Sequence, residues 1–128
     1  MNSQTTHNIT VQVETTFIPG QSSLKEGIFT FAYRITITNH SHKPVQLMRR
    51  KWVITDGMGQ VRIVEGAGVV GLQPVLHPGE SHTYTSGTHF DTPIGKMQGA
   101  YTMRCVIGNY DFDIAIPEFV MEYPIVLN

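Results

Sequence analysis

The chain has 128 residues, with 9 basic against 10 acidic side chains and a formal net charge of −1. That length suits one ordinary domain with a real apolar core, and 41% hydrophobic against 15% charged residues excludes a disordered chain. The near-neutral balance argues against a polyanion-binding surface, so no nucleic-acid partner is expected.

Cys105 is the single cysteine. It rules out an internal disulfide and favours a reducing compartment. The start, MNSQTTHNITVQVETTF, has neither a basic n-region nor an apolar h-region, so the expected location is the cytoplasm. No apolar run approaches the roughly 20 residues that span a bilayer, so membrane insertion is not expected.

Period-two alternation dominates from the first segment onward. NITVQVETTF places Ile9, Val11 and Val13 inward. IFTFAYRITITN sets Phe29, Phe31, Tyr33, Ile35 and Ile37 on one face, and Thr30, Arg34, Thr36 and Thr38 on the other. Asn39-His-Ser-His-Lys-Pro44 reads as a turn. In VQLMRRKWVITD the apolar parity switches from Val45 and Leu47 to Trp52 and Ile54, which predicts a bulge between Met48 and Lys51. Asp56–Gly59 reads as a hairpin turn, QVRIVE and SHTYTS as short strands, and His77–Glu80 and Gly108-Asn109 as turns. MQGAYTMRCVI points Met97, Tyr101, Met103, Cys105 and Ile107 inward, and YDFDIAIP does so with Phe112, Ile114 and Ile116. The tail FVMEYPIVLN carries Phe119, Met121, Tyr123, Ile125 and Leu127. It reads as a final strand packed across the fold, or else as a dimer or partner contact. No helical periodicity appears. About seven or eight short strands predict an all-β antiparallel sandwich of the immunoglobulin or fibronectin type III kind, one domain over residues 1–128.

Several stretches invite a functional reading. Gly66 to Gly71, GAGVVG, fits the dinucleotide pattern G-x-G-x-x-G after a strand-like stretch. Such a site needs a helix behind the glycines, and Pro74, Pro78 and Gly79 leave no room for one. Two readings stay open for Gly66, Gly68 and Gly71: a structural loop, or amides that hold a small anion together with Arg49 and Arg50. Trp52 reads as core. His40 and His42 form an H-x-H in a turn, a weak metal candidate without a third ligand, so no metal site and no cofactor are expected. Ser86, His89 and Asp91 are triad types, yet too close along an extended strand to converge. Asp111 and Asp113 fall on the outer parity, where carboxylates usually meet water. Cys105 falls on the apolar parity.

RRKW, ITDGMG, VEGAGVVGLQPVLHPGE, YTSG, TPIGKMQGAY and IPEFVMEYPIVLN, in this order, closely resemble the bacterial ApaG family over nearly the whole chain. The resemblance implies a fibronectin type III-like sandwich with no family-wide catalytic set. It also implies an association with cobalt resistance and magnesium or cobalt efflux. Similar domains in eukaryotic F-box proteins and in a DNA-polymerase-delta-interacting protein look like protein-interaction modules. The expectation is therefore a non-enzymatic module that contacts a protein partner, with homodimerisation through an edge strand or the tail as one form. The alternative is a module for phosphate, pyrophosphate or a nucleotide, using Gly66, Gly68, Gly71, Arg49 and Arg50.

Overall fold

The computed structural model describes residues 2–124. Nine strands follow one another: β1 (Asn2–Thr6), β2 (Ile9–Phe17), β3 (Phe29–Asn39), β4 (Val45–Asp56), β5 (Val61–Ala67), β6 (Val75–Leu76), β7 (Ser81–Phe90), β8 (Ile94–Cys105) and β9 (Tyr110–Glu122). Among the described residues the helical content is one 3-10 turn, Pro19–Gln21. All pairings are antiparallel and build two sheets, β1-β2-β3-β7 and β5-β4-β8-β9, with β6 added to β4.

The alternating residues of β2 and β3 face those of β4, β8 and β9, and together they form the core. Trp52 lies at its centre, with edge-on contacts to the rings of Tyr33, Tyr101 and Phe119. Such pairs add about 0.5–1.5 kcal/mol each beyond the area they bury.

Strands β1 and β6 exceed the expected number. β1 is wholly polar, so it carries no alternation, and its hairpin turns at His7 and Asn8, both with positive φ (50° and 63°). β6 is only two residues long. Strand β8 ends at Cys105, so Ile107, expected inward, lies in the following turn and is 74% exposed.

Two bulges set which side chains face the core. The β4–β8 register slips between Leu47 and Arg49, leaving Met48 as the extra residue. This turns Arg50, Trp52 and Ile54 inward and sends Arg49 and Lys51 out. The second bulge lies on β9. Met97 pairs with Phe119 but Gly99 with Ile116, so Pro117 and Glu118 together oppose Gln98. A proline suits this place because a bulge leaves its residue outside the ladder. YDFDIAIP and the start of the tail are therefore one strand that changes parity, burying Ile114 and Ile116 before the bulge and Phe119 and Met121 after it. Tyr123 packs edge-on against Phe17 and Phe29. Ile125 and Leu127 lie outside the described residues.

The two flanks of the sandwich differ. On one, β1 and β2 lie against β9, with Asn2 Nδ2 donating to Glu118 O (2.6 Å) and Ala115 N–H to Thr6 Oγ1 (3.3 Å). On the other, β7 ends one sheet and β5 the other. That flank is open.

Candidate functional site

The open flank holds a cleft of about 380 Å³ between the inner faces of β7 and the β4–β5 hairpin. Its floor includes Tyr33, Trp52 and Met97; β7 contributes Tyr84, Ser86 and Thr88. These hydroxyls face inward because β7 alternates like any strand but carries polar residues where β2 and β3 carry aliphatic ones. Two guanidiniums, Arg50 and Arg62, line the cleft, and none of its lining residues is acidic. Arg62 Nη2 crosses the flank to Thr88 Oγ1 (3.0 Å) and to the carbonyl of His89 (3.4 Å). Beyond this strut the flank continues into a smaller hollow with Asp56, His89 and Asp91. Asp56 is engaged in its own turn, accepting from the Met58 and Gln60 amides (both 2.9 Å).

The hydroxyls of Tyr84 and the fully buried Tyr101 are hydrogen-bonded to each other. Burial pushes both phenols up, so both stay protonated. His82 stacks on Tyr84, and its buried Nε2 finds no partner among the described residues.

The glycine run closes one end of the cleft, and its groups are spoken for in a particular way. The Met48 carbonyl accepts from the Gly68 amide (2.9 Å), which carries the β4–β5 register one pair beyond Arg49 and Ala67, and from Gln73 Nε2 (3.0 Å). Val69 and Leu72 exchange two backbone hydrogen bonds (2.8 and 3.0 Å) around Val70 and Gly71. Both of these have positive φ (48° and 76°), so they form a tight hairpin turn with mirror-image dihedrals. Gly68 also has positive φ (63°), and a Cβ there would stand 2.2 Å from the Leu72 carbonyl oxygen. Gly66 leaves room for Arg50, whose guanidinium would meet a Cβ at 2.7 Å. Arg50 Nη1 donates to the carbonyls of Ala67 and Gly68 (3.0 Å each). The loop thus turns carbonyls, not a row of free amides, toward the arginine.

Arg50 therefore lines the cleft and contacts Gly66 and Gly68 behind it, whereas Arg49 is exposed on the opposite face of the sheet. Arg62 carries no motif and was visible in the sequence only as one residue of QVRIVE. Pairing of Ile54 with Arg62 puts it on the inner face.

The other candidates separate. His40 and His42 are exposed in their turn. Among the described residues no three His, Cys, Asp or Glu side chains gather as a metal would require. That turn is organised by buried Asn39. Its Nδ2 donates to the Lys43 and Leu76 carbonyls (2.9 Å each), and its Oδ1 accepts from the Ser41 amide (2.9 Å) and hydroxyl (2.6 Å). Ser86 faces the cleft while His89 is exposed on the outer face. Cys105 is 1% exposed; the Gly108 N–H above all, with the Tyr110 hydroxyl and the Lys43 charge, lowers its thiol pKa against the effect of burial. The expectation that Asp111 and Asp113 meet only water is corrected: cross-strand register sets Asp111 against Arg104 (2.8 and 3.2 Å) and Asp113 against Thr102 (2.8 Å).

The family model described as the ApaG domain matches residues 19–105. The chain belongs to the ApaG family. It is 45% identical to Protein ApaG of Aromatoleum aromaticum, covering all of both chains. It is 50% identical to Protein ApaG of Paramagnetospirillum magneticum over 97% of this chain and 95% of the other. The crystal structure of the ApaA protein from Bordetella pertussis is similar with a TM-score of 0.88 and 42% identity, over 91% of this chain and 94% of that one. The ApaG-domain segment takes in β3 to β8 and thus every residue that lines the cleft, whereas β1, β2 and β9 lie outside it. No helix among the described residues is long and apolar enough to cross a membrane.

Proposed function

We propose that the protein is a non-enzymatic binding module that contacts another protein through its open flank. The observation that carries this reading is where apolar surface remains exposed. Among the exposed apolar residues, Val61, Ile63, Val64, Val70, Leu72 and Val75, each more than a third exposed, lie on β5 or in the loop and strand that follow it. Val64 and Val70 line the cleft, while Val61 and Ile63 alternate onto the outer face of the same edge. Apolar side chains gathered along an unpaired strand edge mark an interaction surface more often than a bare protein face. The link to cobalt and magnesium handling that the family resemblance implies then runs through the partner.

The test is photo-crosslinking in cells. A benzophenone side chain at Val70 is expected to capture one defined protein, and the same group at Glu14, exposed on β2, is expected to capture none. Equal labelling from both positions, or none from Val70, rejects the reading.

A second reading rests on the paired guanidiniums: Arg50 and Arg62, with the hydroxyls of Tyr33, Tyr84 and Ser86, hold a phosphate or pyrophosphate. Titration with pyrophosphate then shifts the amide resonances of residues 66–71 saturably, and the Arg50→Gln variant removes the shifts. An unchanged spectrum at millimolar pyrophosphate rejects it.

A further inference from the structure

We propose that the free edge of β7 is completed by an extended, acidic segment of the partner protein, which adds as a further strand and points a carboxylate toward Arg50 and Arg62. This deepens the protein-contact reading of the open flank and rests on it.

The direction of the β7 backbone makes the first argument. Asn39 N–H donates to the Glu80 carbonyl (3.0 Å), and the register continues from there through Thr38↔Ser81 to Phe29↔Phe90 without a slip. Antiparallel pairing alternates, so the even residues of β7 exchange hydrogen bonds with β3 and the odd ones turn away. Thr83, Thr85 and Gly87 therefore direct N–H and C=O groups to the open flank, and all three are exposed. The next odd residue, His89, confirms the direction, because its carbonyl is the one that Arg62 reaches.

The second argument is that, apart from the Arg62 contact at Thr88 and His89, this edge is unguarded. Folded proteins protect long edges with lysine, proline, inward charge, a bulge or a covering element. β7 is ten residues long, SHTYTSGTHF, with no bulge, no proline, no lysine and no carboxylate. The β1 edge, by contrast, has β9 beside it.

The chemistry of the segment follows from what its inward side chains meet. A strand added to β7 lies over the cleft and turns alternate side chains into it. There they face Arg50, Arg62, Tyr84 and Ser86, with Val64 and Val70 at the rim, and no acidic lining residue competes for the cations. Aspartate or glutamate flanked by β-branched residues suits that pattern. The strained backbone points the same way. Val70 holds φ +48°, unusual for a β-branched residue, and this keeps its 65% exposed side chain at the cleft mouth.

The experiment selects binders from a displayed library of random heptapeptides on the immobilised full-length protein, then measures amide exchange by NMR with the best peptide synthesised. The expected result is a peptide with an acidic residue among β-branched ones that slows exchange at Thr83, Thr85 and Gly87 in alternation. Arg62→Ala is expected to weaken it about tenfold or more, the value of a charge-assisted hydrogen bond. Thr85→Pro, which removes an edge N–H that β3 does not use, is expected to abolish binding while the fold, checked by the same spectrum, persists. Binders without acidic residues, protection elsewhere, no enrichment, or self-association that protects the same amides each overturn the addition of an acidic partner segment. If Val70 crosslinking still captures a defined protein in those cases, the open flank remains a protein contact; if it does not, both readings fall together.

Discussion

The two flanks of the sandwich solve the same physical problem in opposite ways. Any two-sheet stack leaves its end strands with unpaired backbone and a seam into the core. On the β1–β2–β9 flank the seam is filled by aliphatic residues such as Val11, Val13, Ile114 and Ile116, all at most 3% exposed. The β5–β7 flank instead puts arginines and hydroxyls over the aromatic core and leaves them a strut, Arg62, in place of a wall. Stability is concentrated where side chains are aliphatic and enclosed. Recognition has room where they are polar and open.

The largest expected effect tests that division directly. Ile114→Ala, at a residue 1% exposed, should cost about 2–5 kcal/mol in urea unfolding, whereas Val64→Ala, 37% exposed at the cleft rim, should cost about 1 kcal/mol or less. Equal losses would mean that the open flank is as much a part of the core as the closed one. Next comes Asn39, which ties the end of the sandwich by four hydrogen bonds. Asn39→Ala strands buried carbonyls and should destabilise by about 2–3 kcal/mol, again read from the urea midpoint.

A smaller change of opposite sign is expected at Val70. Val70→Asn places Asn-Gly, a favoured pair for a turn with two positive φ values, at residues 70 and 71, and should raise stability by about 1 kcal/mol. If stability rises while Val70-dependent partner capture falls, the strain at that corner serves recognition. A rise without loss of capture makes it incidental.

The smallest effect concerns the outer face. The hydrogen bond from Arg104 holds the Asp111 carboxyl below its usual value. A depressed folded-state pKa stabilises above the unfolded value of about 4 and is lost as pH falls through the lower folded one. Asp111→Asn should therefore lower the urea midpoint slightly near neutrality, by the small amount expected of an exposed pair, and the difference from the unsubstituted protein should close as pH falls below about 4.

Much of the fold was legible in the alternation of particular segments. IFTFAYRITITN has one possible buried face, and β3 buries it. The parity break in VQLMRRKWVITD required a bulge, and Met48 supplies it at the edge of the expected stretch. The parity break between Ile116 and Phe119 is of the same kind, but Pro117 made it read as the end of a strand. The site was legible only in part. Arg50 could be placed beside Trp52 by counting, and GAGVVG could be denied a helix by its prolines. That the loop would use the Met48 carbonyl, and that Arg62 from another strand would share the cleft with Arg50, depends on register between segments distant in the chain.

By itself, then, the order of residues determined which side chains of each strand face the core and where a strand must bulge, because both follow from a backbone period of two and the cost of burying the wrong face. The tertiary structure alone decided which strands meet at the flanks. Nothing local distinguishes a polar strand such as β1, which lies against β9, from β7, whose free edge stays open. That difference comes from strand order in the two sheets, and strand order is set by how the whole core packs.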